Sequence, residues 1–205
     1  MTKSKIFAGA GIAALGAVIL PAAVFAADGD LTQTDTVKVT VDSACSLATS
    51  GSSLSPASTY EATIANGAYN TNIAGSTFTI TCNDTGGWDL NAIGAGTATG
   101  DVTKMDASTN KDADDIATGT TLDGSVSNWA FKVAAGGSTA PTIVTGYTDF
   151  SAVPSGSTKI ANGVSTKGNS TVTATYGVGI SATQSAGVYT GKVSYTLAHP
   201  AATGN

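Results

Sequence analysis

The sequence predicts an all-β fold in which two antiparallel sheets pack face to face as a sandwich. Apolar residues alternate with Thr, Ser or Lys along six runs, and clusters of Gly, Asn and Pro separate these runs. No stretch after residue 27 keeps the 3.6-residue apolar period of a helix. Alternation with a period of two gives each strand one face toward a core and one toward water.

The first 26 residues have the pattern of a secretory signal. Lys3 and Lys5 precede an apolar stretch over residues 6–20, and small residues follow. We therefore expect a signal-peptide helix over 1–26, outside the domain, and a polar linker over 27–35. A retained membrane anchor is the weaker alternative, since the apolar stretch is short and a proline interrupts it.

Six runs of alternating apolar residues predict the strands of the domain, which we place at 36–199 with a tail at 200–205. The inward-facing residues are Val37, Val39, Val41, Cys45 and Leu47; Phe78, Ile80 and Cys82; Trp88, Leu90 and Ala92; Trp129, Phe131 and Val133; Val172, Tyr176, Val178 and Ile180; and Tyr189, Val193, Tyr195 and Leu197. Short strands of this kind, each with one wet face, predict an immunoglobulin-like sandwich.

Turn signals fall between the runs. They are Asn66-Gly67, Asp84-Thr85-Gly86-Gly87, Ala135-Gly136-Gly137, Pro154-Ser155-Gly156, Asn162-Gly163 and Ala186-Gly187. The segment at about 94–124 is rich in Gly, Thr, Ala and Asp and has hardly a large apolar residue. We expect it to be a long polar excursion on the surface, with room for a short hairpin.

Cys45 and Cys82 are the two cysteines of the chain, and both share the parity of the apolar residues on their runs. An even pair in an exported protein most simply forms a disulfide. Two buried free thiols are the alternative. A metal site made from these cysteines and the single histidine, His199, is less favoured.

The charge pattern excludes some partners. All nine basic residues are lysines, the acidic residues number 14, and the net charge is −5. Without arginine, such a chain is a poor ligand for nucleic acid or, once the signal is cleaved, for an anionic membrane. With one histidine, at the end of the last run, no Ser, His and acid set can be assembled. We expect no enzymatic activity and no cofactor.

Four aspartates, Asp106, Asp112, Asp114 and Asp115, could gather oxygen ligands around Ca²⁺. Their spacing lacks the glycine turn and terminal glutamate of an EF-hand. A solvated acidic loop is the competing interpretation.

The sequence contains Trp88-Asp89-Leu90 and, near its end, the run Gly187–Leu197. These two segments resemble the WxL domain of proteins that attach non-covalently to the Gram-positive cell wall. The first matches the family's first W-x-L motif, and the second is similar to its carboxy-terminal signature, with Tyr195 in place of the second tryptophan. The resemblance implies a wall-associated surface protein whose partners are cell-wall polysaccharide or other surface proteins. It assigns Trp88, Leu90, Tyr195 and Leu197 either to the core or to wall contact.

A second resemblance is to chaperone-usher pilins and spore-coat-U-like proteins. It rests on Val39–Leu47, on Phe78–Cys82 and on the closing Gly-x-Tyr strand. Such pilins assemble by lending an alternating apolar extension to the next subunit. Residues 27–36 offer only Leu31, so the donor here would be Val37–Leu47. The resemblance implies a fimbrial or coat-type subunit that functions in assembly or adhesion and can self-assemble.

A third alternative, independent of both resemblances, is an extracellular ligand- or Ca²⁺-binding module.

Overall fold

The computed structural model describes residue 36 and residues 38–39, 44–49, 60–98, 100–107, 115–164 and 166–199. Within these residues the regular structure is all β-strand, as predicted, and it includes no helix that could cross a membrane. The proposed signal peptide, linker and tail lie outside the described residues. Of the compact unit Met1–Thr40, only residues 36, 38 and 39 are described, and they are exposed.

The second compact unit, Val41–Asn205, holds eleven described strands. They are β1 (Cys45–Thr49), β2 (Tyr69–Cys82), β3 (Trp88–Gly94), β4 (Asp106–Ala107), β5 (Ala117–Thr118), β6 (Asn128–Gly137), β7 (Thr142–Ile143), β8 (Thr158–Gly163), β9 (Thr166–Gly179), β10 (Tyr189–Thr190) and β11 (Val193–Ala198). One sheet has the order β1-β2-β9-β6-β5, a second has the order β11-β3-β8-β7, and β10 pairs with β4.

The two larger sheets share one hydrophobic core. Phe78 and Ile80 on β2, Phe131 on β6 and Val172 on β9 enter it from the five-stranded sheet, and Leu90 on β3 enters it from the four-stranded sheet. These residues occupy alternate positions of their strands, as the period of two predicts. The strand pairs are antiparallel except for the parallel pair β5–β6, so the expectation of a wholly antiparallel fold is wrong there.

The outer face of the five-stranded sheet is lined by threonines. Thr77 on β2 lies opposite Thr173 on β9, with their Oγ1 atoms 3.0 Å apart, and Thr79 lies opposite Thr171. β-branched residues suit a half-exposed pleated surface, and opposed threonines bond across it. These pairs hold together the two longest strands, each of 14 residues.

The structure corrects several strand boundaries. Val39, expected to face inward, is 77 % exposed and outside any described strand; Val37 and Val41 lie outside the described residues. Ala135-Gly136-Gly137 and Asn162-Gly163, expected to be turns, belong to β6 and β8. The closing run is two strands, β10 and β11, which pair with β4 and β3 respectively.

The segment at 94–124 is more than a surface excursion. Met105 and Ile116 exchange backbone hydrogen bonds as an isolated antiparallel bridge. Residues 108–114, which would close the expected short hairpin, lie outside the described residues. However, Ile116 is fully buried in the core, and the carbonyl of Thr103 accepts a hydrogen bond from the indole Nε1 of Trp129 at 2.8 Å. The segment therefore supplies one wall of the core near β6, which its polar composition conceals.

Candidate functional site

The predicted disulfide between Cys45 and Cys82 is confirmed. The two residues lie directly opposite each other on β1 and β2, with their Cα atoms 4.1 Å apart. Cys82 is buried in the core and Cys45 packs against it. Beyond the pair, the Asn83 amide donates to the Ala44 carbonyl at 3.0 Å. The bond thus fastens the edge strand β1 to its neighbour within one sheet.

The W-x-L residues of β3 lie inside the core. Trp88 is 2 % exposed and Leu90 is fully buried. A Cβ added to Gly163, the residue opposite Trp88 on β8, would come within 2.6 Å of the indole ring. The indole therefore fills the space left by a missing side chain, and neither face of its ring is open to a ligand.

The two motif segments, about a hundred positions apart in the sequence, pair as neighbouring strands. On β11, Leu197 lies opposite Leu90, and Tyr195 lies opposite Ala92 of β3. Tyr195 and Leu197 are half-buried and pack against the core. All four predicted motif residues thus come together on two adjacent strands of the four-stranded sheet.

Tyr195 connects the two sheets through an aromatic cluster. Its ring centroid is 4.5 Å from that of Phe78 and 6.4 Å from that of Phe131, the latter in an edge-on arrangement. Its hydroxyl lies 3.0 Å from the hydroxyl of Tyr176 on β9. Burial, together with the neighbouring Tyr176, raises the pKa of Tyr195 well above its usual value, and burial also raises the pKa of Tyr176. Both phenols are therefore neutral hydrogen-bonding groups at physiological pH.

Several apolar residues at the margin of the core are partly buried. They include Leu47 on the edge strand β1, Val193, Tyr195 and Leu197 on the edge strand β11, and Ile64 and Ile73. Tyr60 lies near Ser76 and Tyr176: its hydroxyl is 2.8 Å from the Ser76 hydroxyl, and its ring centroid is 6.2 Å from that of Tyr176.

Sequence reasoning missed Tyr60, Ile64 and Ile73. In the first half of β2 the register with β9 shifts twice, between Asn70 and Ile73 and between Ala74 and Thr77. Each shift breaks the period of two, so the first half of β2 gives no alternating signal. In the sequence, Tyr60, Ile64 and Ile73 can be recognised only as isolated apolar residues.

The geometry of the described residues does not support the calcium interpretation. The Oδ2 atom of Asp106 accepts from the Thr97 hydroxyl, and the Oδ1 atom of Asp115 accepts from the Ala107 amide. Asp112 and Asp114 lie outside the described residues. In the described part of the chain, no three His, Cys, Asp or Glu residues are grouped so as to hold a metal ion.

The fold and site define an all-β domain with one disulfide and an aromatic core that joins two sheets. Comparison with protein families, with curated proteins and with solved structures gives no match. The functional argument therefore depends on the geometry and on the two resemblances in the sequence.

Proposed function

We propose that the chain is a non-catalytic, secreted cell-surface protein whose immunoglobulin-like domain attaches non-covalently to the cell wall. The observation that carries the proposal is the pairing of β3 with β11, which sets Leu90 against Leu197 and Ala92 against Tyr195. The pairing places both segments of the resemblance on neighbouring strands of one sheet. The disulfide is compatible with an extracytoplasmic compartment.

An immunoglobulin-like arrangement is supported by the shared core and by the short closing strand. Both large sheets send alternate residues into one core, and Tyr195 reaches across to Phe78 and Tyr176 in the other sheet. Inter-sheet packing of this kind is the basis of sandwich stability. We infer that the domain is a rigid support whose binding surface lies outside the buried motif residues.

Co-sedimentation with purified bacterial walls tests the proposal. The secreted protein should pellet with walls and be released by denaturant without covalent cleavage. Because the chain is acidic and has no arginine, attraction to anionic wall polymers contributes little, and retention should survive about 0.3 M salt. An unrelated acidic secreted protein is the control. Failure to pellet with walls, or release by that salt, would remove wall attachment.

A Trp88→Phe variant tests whether Trp88 is a core residue or a residue that contacts the wall. Since Trp88 is buried, a folded variant should bind walls as the parent does. Loss of binding with an unchanged melting temperature would instead mean that the indole touches the wall.

The assembly-subunit alternative is favoured by the edge strand β11. The edge strand β11 reads Val-Ser-Tyr-Thr-Leu-Ala and carries no charge or proline, the features that usually protect an edge from pairing. Val39, in an alternating apolar segment, is exposed. Filaments or ladders of the secreted protein that disappear in a Val39→Asp variant would support assembly; a monomer that pellets with walls would support attachment.

A further inference from the structure

The turn that precedes β2 contains an asparagine followed by a glycine, Asn66-Gly67. The Ala68 amide donates to the Ala65 carbonyl at 3.1 Å, which closes the turn. Gly67 has a φ of 74°, a left-handed conformation that favours glycine. A Cβ added to Gly124, in the loop before β6, would lie 2.6 Å from the Gly67 carbonyl oxygen, so the two backbones pack closely. The turn therefore requires glycine at position 67.

The asparagine of this turn holds the connection between β9 and β10. Its Nδ2 atom donates to the Gln184 carbonyl at 2.9 Å and to the Ala182 carbonyl at 3.4 Å. Carbonyl oxygens accept hydrogen bonds, so these contacts need the amide group of Asn66 and not a carboxylate. Beside them, the Gly67 amide donates to the Ile180 carbonyl at 2.9 Å. Both members of the Asn-Gly pair thus join the turn to the chain that follows β9.

An asparagine before a glycine is also prone to deamidation, because glycine has no Cβ to hinder the reaction. The backbone nitrogen of Gly67 loses its proton to solvent and attacks the Cγ atom of Asn66. A C–N bond forms, and the side-chain nitrogen takes up a proton and leaves as ammonia. Water then opens the succinimide ring at either carbonyl, which gives aspartate or isoaspartate. In the folded protein both nitrogens donate to carbonyl oxygens, which opposes the first step.

We propose that Asn66 is a deamidation site that the native fold holds closed, and that its modification releases the connection between β9 and β10. The product has a carboxylate where two carbonyl oxygens need a donor, and isoaspartate also adds an atom to the backbone of the turn. Other contacts hold the same connection. The Tyr189 hydroxyl donates to the Ser185 carbonyl at 2.6 Å, and the Ser127 hydroxyl accepts from the Ser181 amide at 3.0 Å. These contacts control how often Asn66 is free to react.

The second Asn-Gly pair of the sequence, Asn162-Gly163, is an internal reference. Asn162 lies within β8, between Asp89 of β3 and Thr142 of β7. A residue paired on both sides of a sheet becomes free only when the sheet opens, whereas a turn opens locally. Reaction at Asn66 without reaction at Asn162 therefore reports loosening of the turn and its contacts alone.

Peptide mapping after incubation in mildly alkaline buffer tests whether the fold closes the site. Conversion of Asn66 should be at least about tenfold slower in the native protein than in urea, because only the open fraction reacts. Equal rates in native buffer and in urea would overturn the proposal.

Tyr189→Phe tests whether the β9–β10 connection provides the closure. The variant lacks the hydroxyl bonded to Ser185, so conversion of Asn66 in native buffer should rise about threefold while that of Asn162 stays unchanged. Ser127→Ala, which removes the acceptor of the Ser181 amide, should act in the same way and decides the question if Tyr189→Phe does not fold. Tyr69→Phe, which removes an exposed hydroxyl, is the matched control and should react as the parent does. Parent-like rates in both test variants would refute this role of the connection.

Asn66→Asp reproduces one product of the reaction and tests the release. Hydrogen exchange over residues 181–187 should be about fivefold faster than in the parent, with exchange in β6 unchanged. Asn70→Asp is the matched control: it adds the same charge nearby, but Asn70 accepts from the Asn72 amide at 2.9 Å, a role that a carboxylate keeps. Unchanged exchange in Asn66→Asp, or equal acceleration in Asn70→Asp, would overturn the release.

Discussion

Tyr195 stands where the WxL resemblance places a second tryptophan. Its hydroxyl group explains why a tyrosine fits this position beside the core. An indole has a donor only, whereas a phenol both donates and accepts. The Tyr195 hydroxyl meets that of Tyr176 at 3.0 Å, so two polar atoms inside an aromatic cluster satisfy each other. The aromatic ring of Tyr195 packs on that of Phe78. One residue thus combines apolar packing between the sheets with a partly buried polar contact.

Tyr195→Phe should lower the free energy of unfolding at pH 7 by about 1 kcal/mol, because Tyr176 loses its hydrogen-bond partner. The folded protein raises the pKa of Tyr195, so its stabilising effect is complete below the ordinary phenol range near pH 10 and declines above it. The gap between the parent and the variant should therefore shrink between pH 7 and about pH 10.5, as measured by urea unfolding.

Tyr69→Phe is the control for this experiment, since Tyr69 is 57 % exposed and lies outside the cluster. It should match the parent at both pH values. A gap for Tyr195→Phe that widened at high pH would contradict the assignment of a buried neutral phenol.

At the scale of elements, the disulfide and its strand act together. β1 is a five-residue edge strand, and Cys45 opens it opposite Cys82. Among the described strands, β2 is the one that pairs with it by backbone hydrogen bonds. A short edge strand gains little from pairing alone, so the covalent bond is what keeps its register.

Removal of the disulfide should therefore destabilise the protein by about 3–4 kcal/mol, as expected for a closed loop of this length, with a separation of 37 positions. Urea unfolding with and without reductant measures the effect, and a Cys45→Ala, Cys82→Ala double variant should be insensitive to reductant. Hydrogen exchange should rise first at β1. Two thiols that alkylate in the secreted protein without reduction would refute the prediction.

The sequence predicted the elements whose side chains alternate without interruption. β3, β6 and most of β9 have inward residues such as Leu90, Phe131 and Val172 at every second position, and these are core residues. Sequence patterns failed where tertiary contacts determine the structure. Asn162-Gly163 reads as a turn but belongs to β8, and a glycine is required at 163 because the Trp88 ring occupies the space of a side chain there. The two-residue strands and the parallel β5–β6 pair depend on such contacts, and no local period encodes them.

The candidate site divides in the same way. Cys45 and Cys82 share the parity of their strands, so their pairing could be predicted from sequence. The contacts of Tyr60, Ile64 and Ile73 could not be, because Tyr60 and Ile64 lie in a segment without alternation and Ile73 lies between register shifts.

At the scale of the whole molecule, the amino-terminal pattern and the cysteine chemistry make one joint prediction about compartment. Cleavage after Ala26 places small or β-branched residues at the positions that signal peptidase reads, whereas cleavage after Ala27 would place Phe25 at one of them. An oxidised cysteine pair forms and persists in oxidising compartments. Export and oxidation should therefore occur in the same molecules.

Intact-mass measurement of the chain expressed in a secreting bacterium checks both. The extracytoplasmic protein should begin at Ala27 and lack two hydrogens, which reductant restores. The control is the same mature sequence made without residues 1–26, which stays in a reducing cytoplasm and should carry two alkylatable thiols. An extracytoplasmic product that retained residues 1–26 would establish the membrane-anchor alternative. A cleaved product with free thiols would separate export from disulfide formation and would leave β1 without the bond that fixes it to β2.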